Sequence, residues 1–211
     1  MREPTTAVVR LAGAVGVEHG GRQATEQDLP GRQARLAFVL LAWEHGRAIA
    51  HDELAEILWP SGPPSTWQPA LRAIVSRVRG VFDRVGLPGA QIVSGRMGRY
   101  ELNLPDGAAV DVEEAVTILD EAERLLGDGG VETARRLAGE ARTILSRPLL
   151  PGVDSPWLDR RREELTAAHV RCLELLGECR RRVSEFDHAA RAVEDLLVLD
   201  PFREPAWRLL M

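Results

Sequence analysis

Arginine is the residue of this chain best equipped to engage a partner, and its spacing is uneven. The stretch RAIVSRVRGVF, residues 72 to 82, sets Arg72, Arg77 and Arg79 on one helix-like run, and every Lys/Arg position in the 211 residues is an arginine. A planar guanidinium presents parallel donors that fit phosphate oxygens or the edge of guanine, so a face bearing several of them suits nucleic acid. Other reactive residue types are poorly spaced for chemistry. Cys172 and Cys179 are the only cysteines. Seven residues apart on one helix, they are separated by about 10 Å of rise, too far for a disulfide, and they read as buried apolar residues. The histidines (His19, His45, His51, His169, His188) lack metal-ligand spacing and read as surface or core residues. There is no P-loop, no Gly-x-Ser-x-Gly and no His-Glu-x-x-His. The expectation is a protein without enzymatic activity, cofactor or metal.

A formal net charge of −5 would oppose nucleic-acid binding if it were evenly spread. Residues 1–107 instead hold 12 arginines against 11 acids, while residues 108–211 hold 15 against 21. From Trp67 to Tyr100 there are six arginines (72, 77, 79, 84, 96 and 99) and a single acid, Asp83. That segment is a strongly basic island in an acidic chain, and such an island supplies the sequence-independent attraction that DNA binding requires.

The elements that must position these arginines can be read from periodicity. VVRLAGAVGV is a β-type run followed by a hairpin signal at GGRQ. GRQARLAFVLLAWEHG places Leu36, Val39, Leu40 and Trp43 on one face of an amphipathic helix stopped by Gly46. AIA bridges to a second helix, HDELAEILWP, ended by Pro60. After the loop SGPPS, Thr66 or Ser65 is placed to cap a third helix over residues 66–83, with Pro69 tolerated in its first turn. GLPGA breaks the chain, and QIVSGRMGRYELNL reads as a hairpin around SGRMG, residues 91–103. LPDGAAVD, residues 104–111, has turn composition and divides this half from an Ala/Leu/Glu/Arg-rich one. There, helices over DVEEAVTILDEAERLLGDG and VETARRLAGEARTILS precede a long helix starting at PWLDRRREEL, then FDHAARAVEDLLVLDP. Helix pairs ending in LDP resemble tetratricopeptide repeats without a strict 34-residue period.

Stepping about 100° per residue along the third helix gathers Trp67, Leu71, Ile74, Val75, Val78, Val81 and Phe82 into one arc of roughly 120°. Opposite lie Pro69, Ala73, Ser76 and Gly80, with Arg72 and Arg79 on one shoulder and Arg77 on the other. Small residues in the middle let a backbone approach base edges while flanking arginines reach phosphates on both sides of a groove.

The order of these motifs, with ALRAIVSRVRGVF and GRYELNLP following HDELAEILWP, resembles the OmpR/PhoB-type winged helix-turn-helix domain. SRVRGVF is similar to the Ser-Arg-Leu-Arg motif of SARP-type (Streptomyces antibiotic regulatory protein) regulators. VDVEEAVTILDEAE, RPLLPG, PWLDRRREEL and LDPFREPAWRLLM resemble the bacterial transcriptional activation domain that accompanies it. The resemblance implies a mainly α chain with small β elements: a winged helix-turn-helix DNA-binding domain over 1–107, then an all-α, TPR-like activation domain over 108–211. It implies DNA contacts by Ser76, Arg77 and Arg79 on the recognition helix; the face analysis adds Arg72 and Gln68, and the hairpin adds Arg96 and Arg99. It implies promoter double-stranded DNA and RNA polymerase holoenzyme as partners, activation as the outcome, and a homodimer on repeated sites. The activation domain normally continues past RLLM, so the resemblance implies a shortened C-terminal end at which Trp207, Leu209 and Leu210 lack some cover.

The competing expectation is a non-DNA adaptor that uses its repeat-like helices to bind a protein. The arginine clusters 160–162 and 180–182 read as i, i+4 partners of acids on a solvated face, and Trp157 and Trp207 read as core. With no run of about 18 apolar residues and no secretory signal in MREPTTAVVRL, a cytoplasmic protein that avoids membranes is expected.

Overall fold

The computed structural model describes residues 6–210, with the side chains of Leu209 and Leu210 excepted. The beginning of MREPTTAVVRL, and the expectation for Leu209 and Leu210, therefore lie outside the described residues. The chain divides into two compact units, residues up to Asp111 together with Leu149–Arg160, and Val112–Pro148 together with residues from Arg161 onward.

The first unit runs β1 (Val8–Arg10), β2 (Gly16–His19), β3 (Arg22–Ala24), α1 (Arg32–Trp43), β4 (Ile49–Ala50), α2 (His51–Leu58), α3 (Trp67–Arg84), α4 (Gly89–Ile92), β5 (Val93–Arg96), β6 (Arg99–Leu102) and β7 (Ala109–Val110). One sheet has the order β3-β2-β1-β7 and the other β4-β6-β5. The GGRQ signal is the β2–β3 turn, where Gly20 and Gly21 take φ of 61° and 73°, a region open to glycine without steric cost.

Three local readings change. AIA is a strand: Ile49 pairs with Tyr100 and Ala50 with Arg99. GLPGA leads into α4, whose Gly89 lies against the backbone of α3, since a Cβ there would stand 2.2 Å from the Arg79 carbonyl oxygen. The dividing stretch 104–111 contains β7, parallel to β1, and ends in the buried Asp111, whose carboxylate accepts from the Leu11 and Ala12 amides at 2.8 and 3.2 Å. Two backbone donors satisfy that carboxylate, which otherwise could not be buried as a charge.

Helix α1 is not amphipathic in place. Leu36 to Ala42 are all buried, because α1 packs on α2 and α3 and also on β6. Helix α3 keeps its stripe: Leu71, Ile74, Val75, Val78, Val81 and Phe82 are buried, with Trp67 half-buried and Phe82 6.1 Å from Phe38 between ring centroids. Each such side chain contributes about 1.5–3 kcal/mol of burial, enough to fix the rotation of α3 about its axis. Thr66 is the N-cap, yet neither it nor Ser65 caps through its side chain; the helix start is closed instead by the Trp67 amide donating to the Pro64 carbonyl at 2.9 Å. The stiff proline loop already sets that turn.

The second unit is helical: α5 (Asp111–Gly127) from Val112 onward, α6 (Val131–Leu145), α7 (Pro156–Arg182) from Arg161 onward, α8 (Phe186–Leu199) and α9 (Glu204–Leu210). Val170, Leu173, Val193, Leu196 and Ala206 form one core cluster. Cys172 Sγ donates to the Ala138 carbonyl, and both cysteines are free and buried. Burial pushes the Cys172 thiol up to about 12 and that of Cys179 upward, so neither is a ready thiolate. Trp157, which belongs to the first unit, is buried, but Trp207 is 51% exposed and donates its indole N–H to the Pro201 carbonyl. The core reading of Trp207 is thus corrected: α9 buries Ala206 and turns the indole outward. Among the described residues no helix is long and apolar enough to cross a membrane.

Candidate nucleic-acid interface

The residues singled out on α3 and the β5–β6 hairpin fall into two groups. Gln68, Arg72, Ser76 and Arg77 are exposed along α3, and Arg96 and Arg99 are exposed on the hairpin. Arg79 is only half-buried, because its Nε donates to the Val93 carbonyl at 2.8 Å and its guanidinium lies 5.9 Å from the Tyr100 ring centroid. It therefore ties α3 to the hairpin. Gly95 makes this possible: a Cβ at that position would stand 2.9 Å from the Tyr100 ring and 3.3 Å from an Arg79 nitrogen.

Arg72, Arg79 and Arg96 come together around a recess of about 350 Å³, which His51, Gly95, Met97, Gly98 and Tyr100 complete. Arg77 faces elsewhere and donates to the Pro30 carbonyl at 3.3 Å. Gln68, Ser76 and Arg99 do not line the recess, and Arg99 stands across the hairpin from Arg96 in register. Among the described residues, the guanidinium groups of Arg72, Arg96 and Arg99 make no hydrogen bond and no ion pair. The one acid of the basic segment is occupied structurally, as Asp83 accepts from the Gly89 amide at 2.8 Å and so caps α4.

His51 is a component that sequence reasoning missed. Its ring stacks on Tyr100 with centroids 4.5 Å apart and an interplanar angle of 27°, and its amide donates to the Gly98 carbonyl at 2.9 Å. Burial, and then the charge of Arg72, hold its imidazole below the ordinary histidine pKa against a weaker opposing effect of Asp52. No local signal could have marked it, because its neighbours come from α3 and the hairpin, far along the chain. The recess is a cationic concavity whose chemistry is electrostatic and hydrogen-bonding, the kind that receives an oxyanion such as phosphate.

The fold and this face define a winged helix-turn-helix unit accompanied by a TPR-like helical unit. Residues 110–211 match the family described as bacterial transcriptional activator domain. No curated protein sequence matches the chain. The fold is shared with EmbR of Mycobacterium tuberculosis, solved in complex with a low affinity phosphopeptide: TM-score 0.86 and 20% identity over 98% of this chain. The chain spans about half that protein, 54% of its length. The C-terminal half of the present chain is thus similar to bacterial transcriptional activator domains, and the chain as a whole shares its fold with EmbR.

Proposed function

We propose that the first unit binds promoter double-stranded DNA, with α3 in the major groove and the β5–β6 hairpin as the wing, and that the chain activates transcription from that site. The observation that carries this reading is that Arg72, Arg96 and Arg99, on α3 and the adjoining hairpin, have no acidic partner among the described residues. Charge left uncompensated on a helix and its neighbouring hairpin is what phosphate binding uses. Gln68, Ser76 and Arg77 occupy the exposed face from which base edges would be reached, and Arg79 holds helix and wing at a fixed separation. The helical unit then contacts RNA polymerase holoenzyme, and two copies bind repeated half-sites. Exposed Val198 and Phe202 on and beside α8 support a protein partner for that unit.

The test is a gel shift of the whole chain on its own upstream region against random DNA at moderate salt. Preference for the upstream region, lost when Arg72 and Arg77 are both replaced by Ala while thermal unfolding stays unchanged, supports the reading. Equal binding to both DNAs, or none, overturns it.

A further inference from the structure

The tip of the hairpin carries a side chain that the winged-helix frame does not require. Met97 and Gly98 form a two-residue loop with φ of 49° and 73°, the positive pair that a type I′ turn demands. Glycine, asparagine or aspartate takes these positions at little steric cost, whereas an unbranched apolar residue with a Cβ does not. Met97 is also fully exposed. It therefore adds nothing to the core and works against the turn that holds it.

That turn is nonetheless fixed. The Gly98 carbonyl accepts from the His51 amide at 2.9 Å. Arg99 pairs with Arg96 on one side and Ala50 on the other. Behind them, Arg79 fastens the hairpin to α3 through the Val93 carbonyl. A flexible thioether is thus displayed at a defined point between two arginines, Arg96 and Arg99, that have no acidic partner among the described residues. An exposed methionine can also serve protein docking, but cationic flanks on both sides favour a polyanion.

Resting on the DNA-binding reading above, we infer that Met97 is a minor-groove wedge: its thioether enters between base pairs at one step while Arg96 and Arg99 take the phosphates on either rim. Side chains of this type partially unstack a step and bend the duplex, and the cost is lowest at flexible pyrimidine–purine steps. Met97 thereby sets sequence preference under the wing, at a position separate from that read by α3.

The experiment uses the full chain and a DNA site that it selects from a random pool, with affinity, bend angle and sequence preference measured for wild type, Met97→Leu and Met97→Asn. Asparagine suits the left-handed conformation, so the turn persists, and an unchanged or raised melting temperature checks this. The expected result is about tenfold weaker binding by Met97→Asn, a smaller bend, and lost preference at the step under the wing with the α3 preference intact. Met97→Leu retains most of each. Met97→Asn binding and bending as wild type does overturns the wedge, and so does a uniform loss with the bend unchanged, which marks simple surface contact. If the wild-type chain selects no DNA, the DNA-binding reading itself fails, an outcome visible without any variant.

Discussion

Arginines in the two units lead different lives. In the helical unit they are largely answered: Arg124 pairs with Glu121 and Asp128, Arg136 with Glu140, Arg142 with Asp195, and Arg171 with both Asp120 and Glu123. On α3 and the hairpin, Arg72, Arg96 and Arg99 meet no acid among the described residues. Exposed ion pairs contribute little to stability, but they cancel each other's field. The unanswered arginines keep theirs, and it extends about a Debye length of 8–10 Å into solvent at ordinary ionic strength. Net charge, dominated by the acidic half, conceals this.

The largest expected effect comes from replacing Arg72, Arg96 and Arg99 together with Ala. DNA affinity should fall by about a hundredfold or more, and the slope of log K against log salt should shrink by about 0.9 for each phosphate that the variant no longer neutralises. The same triple exchange at Arg124, Arg136 and Arg181 should change affinity less than about twofold. Equal losses from the two sets, measured by salt titration of binding, would dissolve the contrast between the units.

Next is Gly95→Ala, which puts a methyl against Tyr100 and the Arg79 guanidinium. Urea unfolding should show a loss of about 1–3 kcal/mol, with DNA binding weakened because wing and helix no longer share a register. Arg79→Ala removes the tie to Val93 without adding bulk, and its cost should be about 1–2 kcal/mol. In the helical unit, Arg171→Ala should cost less than about 1 kcal/mol, since the two carboxylates it leaves behind are solvent-accessible, and DNA affinity should be unaffected.

The smallest effect is a pH dependence shared by both units. Burial is the first cause holding both His51 and His169 below the ordinary histidine pKa, and Arg72 and Arg142 respectively add to it. The folded state therefore takes up protons less readily than the unfolded chain. Stability from these two sites is present above about pH 6.5 and declines as pH falls below it toward the depressed folded values. Melting temperature recorded between pH 8 and 5.5 should drop toward acid, and His169→Gln together with His51→Gln should flatten the curve.

Some of this was legible along the chain. The buried stripe of α3, from Leu71 to Phe82, follows from its 3.6-residue period, and the β5–β6 hairpin from two β-type runs around SGRMG. The paired character of much of the 160–162 and 180–182 clusters was also readable, as Arg161 meets Glu164, and Arg181 and Arg182 both meet Glu178. Arg180 departs from that pattern: it is half-buried, donates to the His188 carbonyl, and is held below its ordinary pKa by desolvation. Helix α1 misled because an i, i+3, i+4 pattern reports the minimum buried face, and elements packed on its remaining sides buried the rest. β4 and β7 are two residues each, too short to carry a period, and exist because distant strands supply their hydrogen bonds.

Local sequence thus determined which face of α3 is apolar, where the β2–β3 and β5–β6 hairpins turn, and that arginine is concentrated between Trp67 and Tyr100, since these depend on residues within one or two turns of each other. Only the tertiary structure decided that Arg79 is a tie and Arg72 a free cation, that Arg77 faces Pro30, and that His51 joins them at the wing. Those outcomes depend on which carbonyls and rings arrive from elsewhere in the chain, and a guanidinium's role is set by the partner it finds.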